Sequence, residues 1–155
     1  MNNSLRLTVI TLLLAASGLS AVTRYVWQDS PSPGPPYDTW ANAAHDMQSA
    51  VDMAQTGDTV LVAGGVYATG GRAVSGSLTN RVAIDRAITV ESLMGPDVTI
   101  IQGHQVPDLT NGDGAIRCVY LTDGASLSGF TLTKGATREE AGNYSAEQSG
   151  GGVWC

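Results

Sequence analysis

The sequence predicts an all-β fold, a right-handed parallel β-helix with one amphipathic helix capping its N-terminal end. Three observations carry this. Charged residues are 14% of the 155-residue chain and glycines number 19, against averages of about 25% charged and about 7% glycine, so turns are frequent and helices few. A single Phe and five Tyr, set among many Thr and Val, suit a protein of short strands rather than a helical bundle. Strand-like segments also recur: GVYATGG, DVTIIQG and GFTLTKG close on Gly71, Gly103 and Gly135, each 32 residues after the last. A fixed period of this size marks stacked repeats.

Taken in order, the first stretch, MNNSLRLTVITLLLAASGLSA, sets Arg6 before an apolar run from Leu7 to Ala16 and follows it with small residues. That pattern predicts a signal peptide over residues 1–21. The run is shorter than the about 20 apolar residues a spanning helix needs, so the mature chain is expected to be secreted or displayed at the cell surface, with no membrane span. Residues 22–39, with Pro31, Pro33, Pro35 and Pro36, read as an extended connector. The spacing of Trp40, Ala43, Ala44, Met47, Ala50, Val51 and Ala54 predicts an amphipathic helix over 40–54. Asp38 or Thr39 would cap its start and Gly57 its end.

From residue 59 onward strands and turns alternate. TVLVA, AITVE and CVYLT each precede one of the glycine-closed segments, so each coil reads as strand, turn, strand and longer loop. Hairpins of the two-residue Asn-Gly type are missing, and coils stacked about 4.8 Å apart are the simpler solution. Alternation then predicts Val66, Val98, Ile100, Phe130 and Leu132 inward and Tyr67, Thr99 and Thr131 outward, with Ile101 as the misfit. A second inward column is expected from Val60, Ile88, Val119 and Val153. Tyr120 and Trp154 would then be outward neighbours. The closing SGGGVWC is expected to open a fourth coil of a chain that continues past Cys155.

GDTVLVAGGVYATGGR, RAITVESLMGPDVTIIQG, RCVYLTDGASLSGFTLTKGAT and SGGGVWC, following the helix AHDMQSAVDMAQ, resemble the N-terminal portion of exported bacterial right-handed β-helix repeat proteins with the pectate-lyase-like fold. The resemblance runs from about Arg24 to Cys155. It implies a helix that caps the first coil and a family spanning lyases, hydrolases and adhesins.

Chemistry is harder to find. A polyuronate lyase needs carboxylates that hold calcium and a basic group for the proton alpha to the acid. Glu91 and the loop QVPDLTNGDG offer no such set. Asp108, Asn111 and Asp113 match a calcium loop only partly, so calcium is left open and no cofactor is implied. The paired acids and G-H-G element of hydrolases with this fold are missing, and His45 and His104 read as surface residues. Carbohydrate-contact candidates are Tyr67, Tyr120 and Trp154, whose rings can pack on sugar faces. Cys118 is expected outward and Cys155 inward, so both should be free thiols. The Asn143-Tyr-Ser sequon is a short pattern common by chance, and uninformative if the source is bacterial as the resemblance implies. With a net charge of −6 and no basic stripe, nucleic acid is excluded as a partner, whereas a polysaccharide or cell-surface component fits. Two function classes follow: an exported scaffold segment with a carbohydrate-contacting or adhesin-like surface, or the N-terminal part of a polysaccharide lyase or glycoside hydrolase whose active groups lie on further coils.

Overall fold

The computed structural model describes residues 20–139 and 147–155. The segment read as a signal peptide, up to residue 19, and the Asn143 sequon lie outside the described residues. The chain forms a β-solenoid. Sheet A stacks β1 (Thr23–Val26), β2 (Thr59–Val62), β6 (Thr89–Ser92) and β9 (Ser126–Ser128). Sheet B stacks β3 (Gly65–Tyr67), β7 (Thr99–Gln102) and β10 (Thr131–Thr133). Sheet C stacks β4 (Arg72–Ala73), β5 (Thr79–Ile84), β8 (Ile116–Leu121) and β11 (Val153–Trp154). Every pairing is parallel except β4 with β5. One turn of the solenoid therefore runs A, B, C: β2-β3-β5, then β6-β7-β8, then β9-β10-β11.

Each coil thus has three strands where the sequence pattern suggested two. The segment CVYLT belongs to β8 in sheet C, beside β5, and is not the successor of TVLVA and AITVE in sheet A. That place is taken by β9, inside the stretch DGASLSG, which the sequence pattern reads as the turn after CVYLT; Gly124 and Gly129, both at positive φ, bracket the strand. The column expected from Val60, Ile88 and Val119 is accordingly corrected: Val60 pairs with Val90, and Val119 pairs with Val82.

In sheet B the three glycine-closed segments do stack, in a different register. Tyr67 pairs with Ile101, and Ile101 with Leu132. Tyr67 and Ile101 are buried, Leu132 packs on the same core, and Val66 and Val98 are each 47% exposed. The inward set expected in the first two coils is therefore shifted by one residue, and a one-residue slip exchanges the two faces of a strand. Ile101, the expected misfit, is the centre of the column. Thr99, also inward, is buried, and its hydroxyl is 2.6 Å from that of Ser92. The Phe130 and Leu132 assignments hold.

The repeated glycines mark the passage from sheet B to sheet C, where the backbone runs close against neighbouring chain. A Cβ on Gly71 would lie 2.6 Å from the Asn80 carbonyl oxygen. One on Gly103 would meet Gly135 Cα at 2.6 Å, and one on Gly135 would meet the Cys118 sulfur at 2.7 Å. No side chain fits at any of the three.

The N-terminal region closes the first turn by satisfying its backbone. The expected helix over 40–54 is broken in two. Thr39 and Asn42 form a capping box on a 3-10 turn, Trp40–Asn42, and Asp46 caps the short helix α1 (Met47–Met53) by accepting from Ser49 N–H at 2.9 Å. The intervening Ala43 and Ala44 are extended because Ala44 bonds with β1: Ala44 N–H donates to the Tyr25 carbonyl, and Trp27 N–H donates to the Ala44 carbonyl. Tyr25 N–H donates to the Tyr37 carbonyl at 2.7 Å. The proline-rich connector thus begins as strand β1 and returns along that strand's outer edge. Helix α1 ends at Ala54 rather than at Gly57.

In sheet C the helix itself completes the edge. The Gln48 carboxamide, buried, accepts from Ala83 N–H at 2.7 Å and donates to the Ala83 carbonyl at 3.2 Å. In sheet B, Gln28 donates to the Val66 carbonyl at 2.9 Å. Asp58 ties the helix exit to β1 by accepting from Val22 and Gln55 N–H, with Arg24 at 3.7 Å. Because an orphaned buried polar group costs about 1–3 kcal/mol, Gln48→Ala should lower the unfolding free energy by at least about 2 kcal/mol. Urea unfolding monitored by circular dichroism checks this, and an unchanged midpoint would show that the edge is satisfied otherwise.

Tyr67 adds a pH dependence. Its hydroxyl donates to the Ala63 carbonyl at 2.9 Å, and burial, with the charge of Asp29 as a smaller cause, pushes its ionisation well above the ordinary tyrosine range. Burial also pushes the Cys118 thiol up. The unfolded chain loses these protons near about 8.5 for cysteine and about 10 for tyrosine, while the folded chain keeps them. Their contribution is therefore complete below about pH 8 and is lost as pH rises. Stability measured from pH 7 to 11 should fall, and Tyr67→Phe should flatten the part above about pH 10; an unaltered slope in that variant would contradict the assignment.

Candidate functional site

Alternation along β8 is broken once. Cys118 and Val119 are consecutive and both fully buried, and the paired register with β5 omits Arg81 and Cys118 between its two halves. The strand turns a corner there. As a result Arg117, before the corner, and Tyr120, after it, both lie beside Trp154, Tyr120 partly exposed and Arg117 buried. Trp154, opposite Tyr120 in the register, lies between them: its ring is 5.3 Å from the Tyr120 ring, tilted by 45°, and the Arg117 guanidinium carbon is 4.9 Å from its centre.

Arg117 is held under the aromatic pair rather than free to sweep. One guanidinium nitrogen donates to Asn80 Oδ1 at 3.0 Å and another to the Ser149 carbonyl at 2.6 Å. Burial pulls its ionisation below the ordinary arginine range, with Glu147 acting in the opposite sense, and arginine keeps its charge across the physiological range. Ser149 is in turn positioned through Glu147, whose carboxylate accepts from the Ser77 and Leu78 N–H groups. Those bonds hold the Glu147 carboxyl below the usual carboxylate range. The outcome is a partly exposed two-ring surface with a fixed cation beneath it. Such a surface can stack on the C–H face of a ring ligand, while Arg117, itself only 2% exposed, steadies the Trp154 ring from below through its cation–π contact.

The sequence-based candidates separate here. Tyr120 and Trp154 are neighbours, as expected. Tyr67 is in the core and offers no outer surface. Asp108 is exposed, Asn111 Oδ1 accepts from Thr137 N–H at 3.1 Å, and Asp113 is paired with Arg138 at 2.6 Å. Among the described residues no group of three or more His, Cys, Asp or Glu stands close enough to hold a metal ion. Glu91 pairs in register with Leu61 and Ser128 on sheet A, away from any second acid in that register. His45 is 3.1 Å from the Ser30 carbonyl, and His104 is exposed. Arg117 was missed because a period-2 reading of RCVYLT puts it on the face opposite Tyr120. A second aromatic surface, also missed, lines an apolar cleft of about 320 Å³ between Trp27, Trp40, Ala63 and Leu93, with the Tyr25 ring 4.6 Å from that of Trp40.

No family model, curated protein or solved structure matches this chain, so the functional reading rests on this geometry. Among the described residues, no helix is long and apolar enough to cross a membrane.

The cysteines correct one expectation and meet another. Cys118 is inward and buried, with its sulfur 3.2 Å from the Thr133 carbonyl, and Cys155 is exposed; neither is in a disulfide. A thiol-reactive chromophore should therefore label Cys155 rapidly in the folded protein and Cys118 only after denaturant is added. Equal rates in the native state would show that the corner at Cys118 is open.

Proposed function

We propose that this protein is an exported solenoid scaffold, akin to the β-helix repeat proteins its sequence resembles, that contacts glycan through the outer face of sheet C. The observation that carries the reading is the Tyr120–Trp154 pair, two partly exposed rings at strand spacing, with Arg117 fixed beneath Trp154. A rigid parallel stack sets the ring separation before any ligand arrives, so little ordering cost is incurred on binding. Sugar rings match such a surface because their axial C–H groups pack on aromatic faces while their hydroxyls stay in water. The apolar run over residues 7–16 supports export.

Titration of the full chain with neutral hexasaccharides of glucan, galactan and chitin type, followed by calorimetry and tryptophan fluorescence, tests this. At least one should bind, and Trp154→Ala and Tyr120→Ala should each weaken it about tenfold, a change of about 1.4 kcal/mol, with the thermal midpoint unchanged within about 2 °C. Absence of binding by every member at millimolar concentration, or full affinity in the double variant, would overturn the proposal.

A further inference from the structure

A second site lies where sheet B gives way to the loop after β7. Gln102, His104, Gln105, Val106, Asp108, Thr110 and, from the next turn, Lys134 line a cleft of about 500 Å³. Its charged side chains make no hydrogen bond among the described residues. Each described arginine donates a hydrogen bond or pairs with an acid. Lys134, the single lysine of the chain, does neither among the described residues, and its side chain is exposed on the cleft wall. The His104 imidazole and the Asp108 carboxylate are likewise without hydrogen-bond partners among the described residues, although all three share one cavity.

The backbone points to the same place. Among the described residues, four non-glycine residues have positive φ: Tyr37, Asp108, Thr110 and Lys134. Three of the four line this cleft. Asp tolerates the left-handed region, but for a β-branched Thr it is a genuine outlier, and glycine would be cheaper at each position. Residues kept in costly conformations around one cavity, with unpaired polar groups facing it, form a pattern found at ligand sites.

We propose that this cleft binds a small hydroxylated acid, a ligand carrying one anionic group and adjacent hydroxyls, such as an acidic or phosphorylated monosaccharide. Lys134 and His104 supply the positive and donor side for the anion. The Asp108 carboxylate, with the Gln102 and Gln105 carboxamides, accepts from hydroxyls, and it disfavours a bare anion by like-charge repulsion. The site is separate from the aromatic pair and does not depend on that reading.

The test is calorimetric titration of the full chain with glucuronate, glucose 6-phosphate, glucose and inorganic phosphate. One or both sugar acids should bind, the preferred one identifying the acid group as carboxylate or phosphate, while glucose and inorganic phosphate bind at least tenfold more weakly. Lys134→Gly keeps the local conformation accessible and removes the ammonium. It should weaken the sugar acid tenfold or more while the thermal midpoint stays equal or rises, and Lys134→Arg should restore part of the affinity. Asp108→Gly should weaken the sugar acid and strengthen inorganic phosphate. The proposal is overturned if neither acid binds at about 10 mM, where even a site with a Kd of about 1 mM would be mostly filled, if glucose or inorganic phosphate binds as well as the acids, or if Lys134→Gly binds as tightly as the parent.

Discussion

A parallel stack of strands satisfies the backbone of its inner turns and leaves an edge at its ends; at the first turn, the N–H and C=O groups that face away from the stack have no full turn beneath them. Such an edge pairs with other chains unless it is covered, and buried without partners it destabilises the fold. The segment before β2 answers this constraint with a different device for each sheet. Sheet A is extended by β1, and β1 is in turn edged by the returning chain at Tyr37 and Ala44. Sheet C is completed by β4 and by the Gln48 carboxamide, and sheet B receives a bond from Gln28. The helix is short because its N-terminal residues are needed as an edge rather than as a turn of helix.

The second constraint is the close approach of successive turns where sheet B passes into sheet C. Glycines at 71, 103 and 135 let the chain through, and β8, which follows the loop after Gly103, bends at Cys118–Val119 so that both side chains fill the core. The bend has a consequence on the outside. It puts Arg117 and Tyr120 both beside Trp154 of the following turn, which covers the first and meets the second. The surface with a proposed role in binding is thus a by-product of how the core turns its corner. Lys134, just before Gly135, and the loop after Gly103 flank the same passage, which is why the polar cleft forms there.

Much of the architecture was legible in the sequence: the stacking of the three glycine-closed segments, an N-terminal helical cap, and the pairing of Val153 and Trp154 with Val119 and Tyr120. Register was not, for a physical reason. In DVTIIQG both Ile100 and Ile101 are apolar, so hydrophobic alternation cannot choose between them, and the choice rests on Tyr67 finding the Ala63 carbonyl inside. Strand β5 was missed because TNRVAI holds Asn80 and Arg81, whose polar groups are buried against Arg117, Gly70 and Gln102 rather than left to solvent. Of the site, the aromatic pair was readable and its cation was not, since a corner has no signature in period-2 patterning.

The account depends most on the first turn being sealed by hydrogen bonds from non-strand groups. Native-state hydrogen exchange measures this directly, residue by residue. The amides of Ala83, Tyr25 and Ala44, whose acceptors are the Gln48 side chain and the Tyr37 and Tyr25 carbonyls, should exchange as slowly as those of Val90 and Ile101 in the middle of the stack. Exchange of the three at the rate of exposed loop amides, with Val90 and Ile101 still protected, would show an open first turn and contradict it.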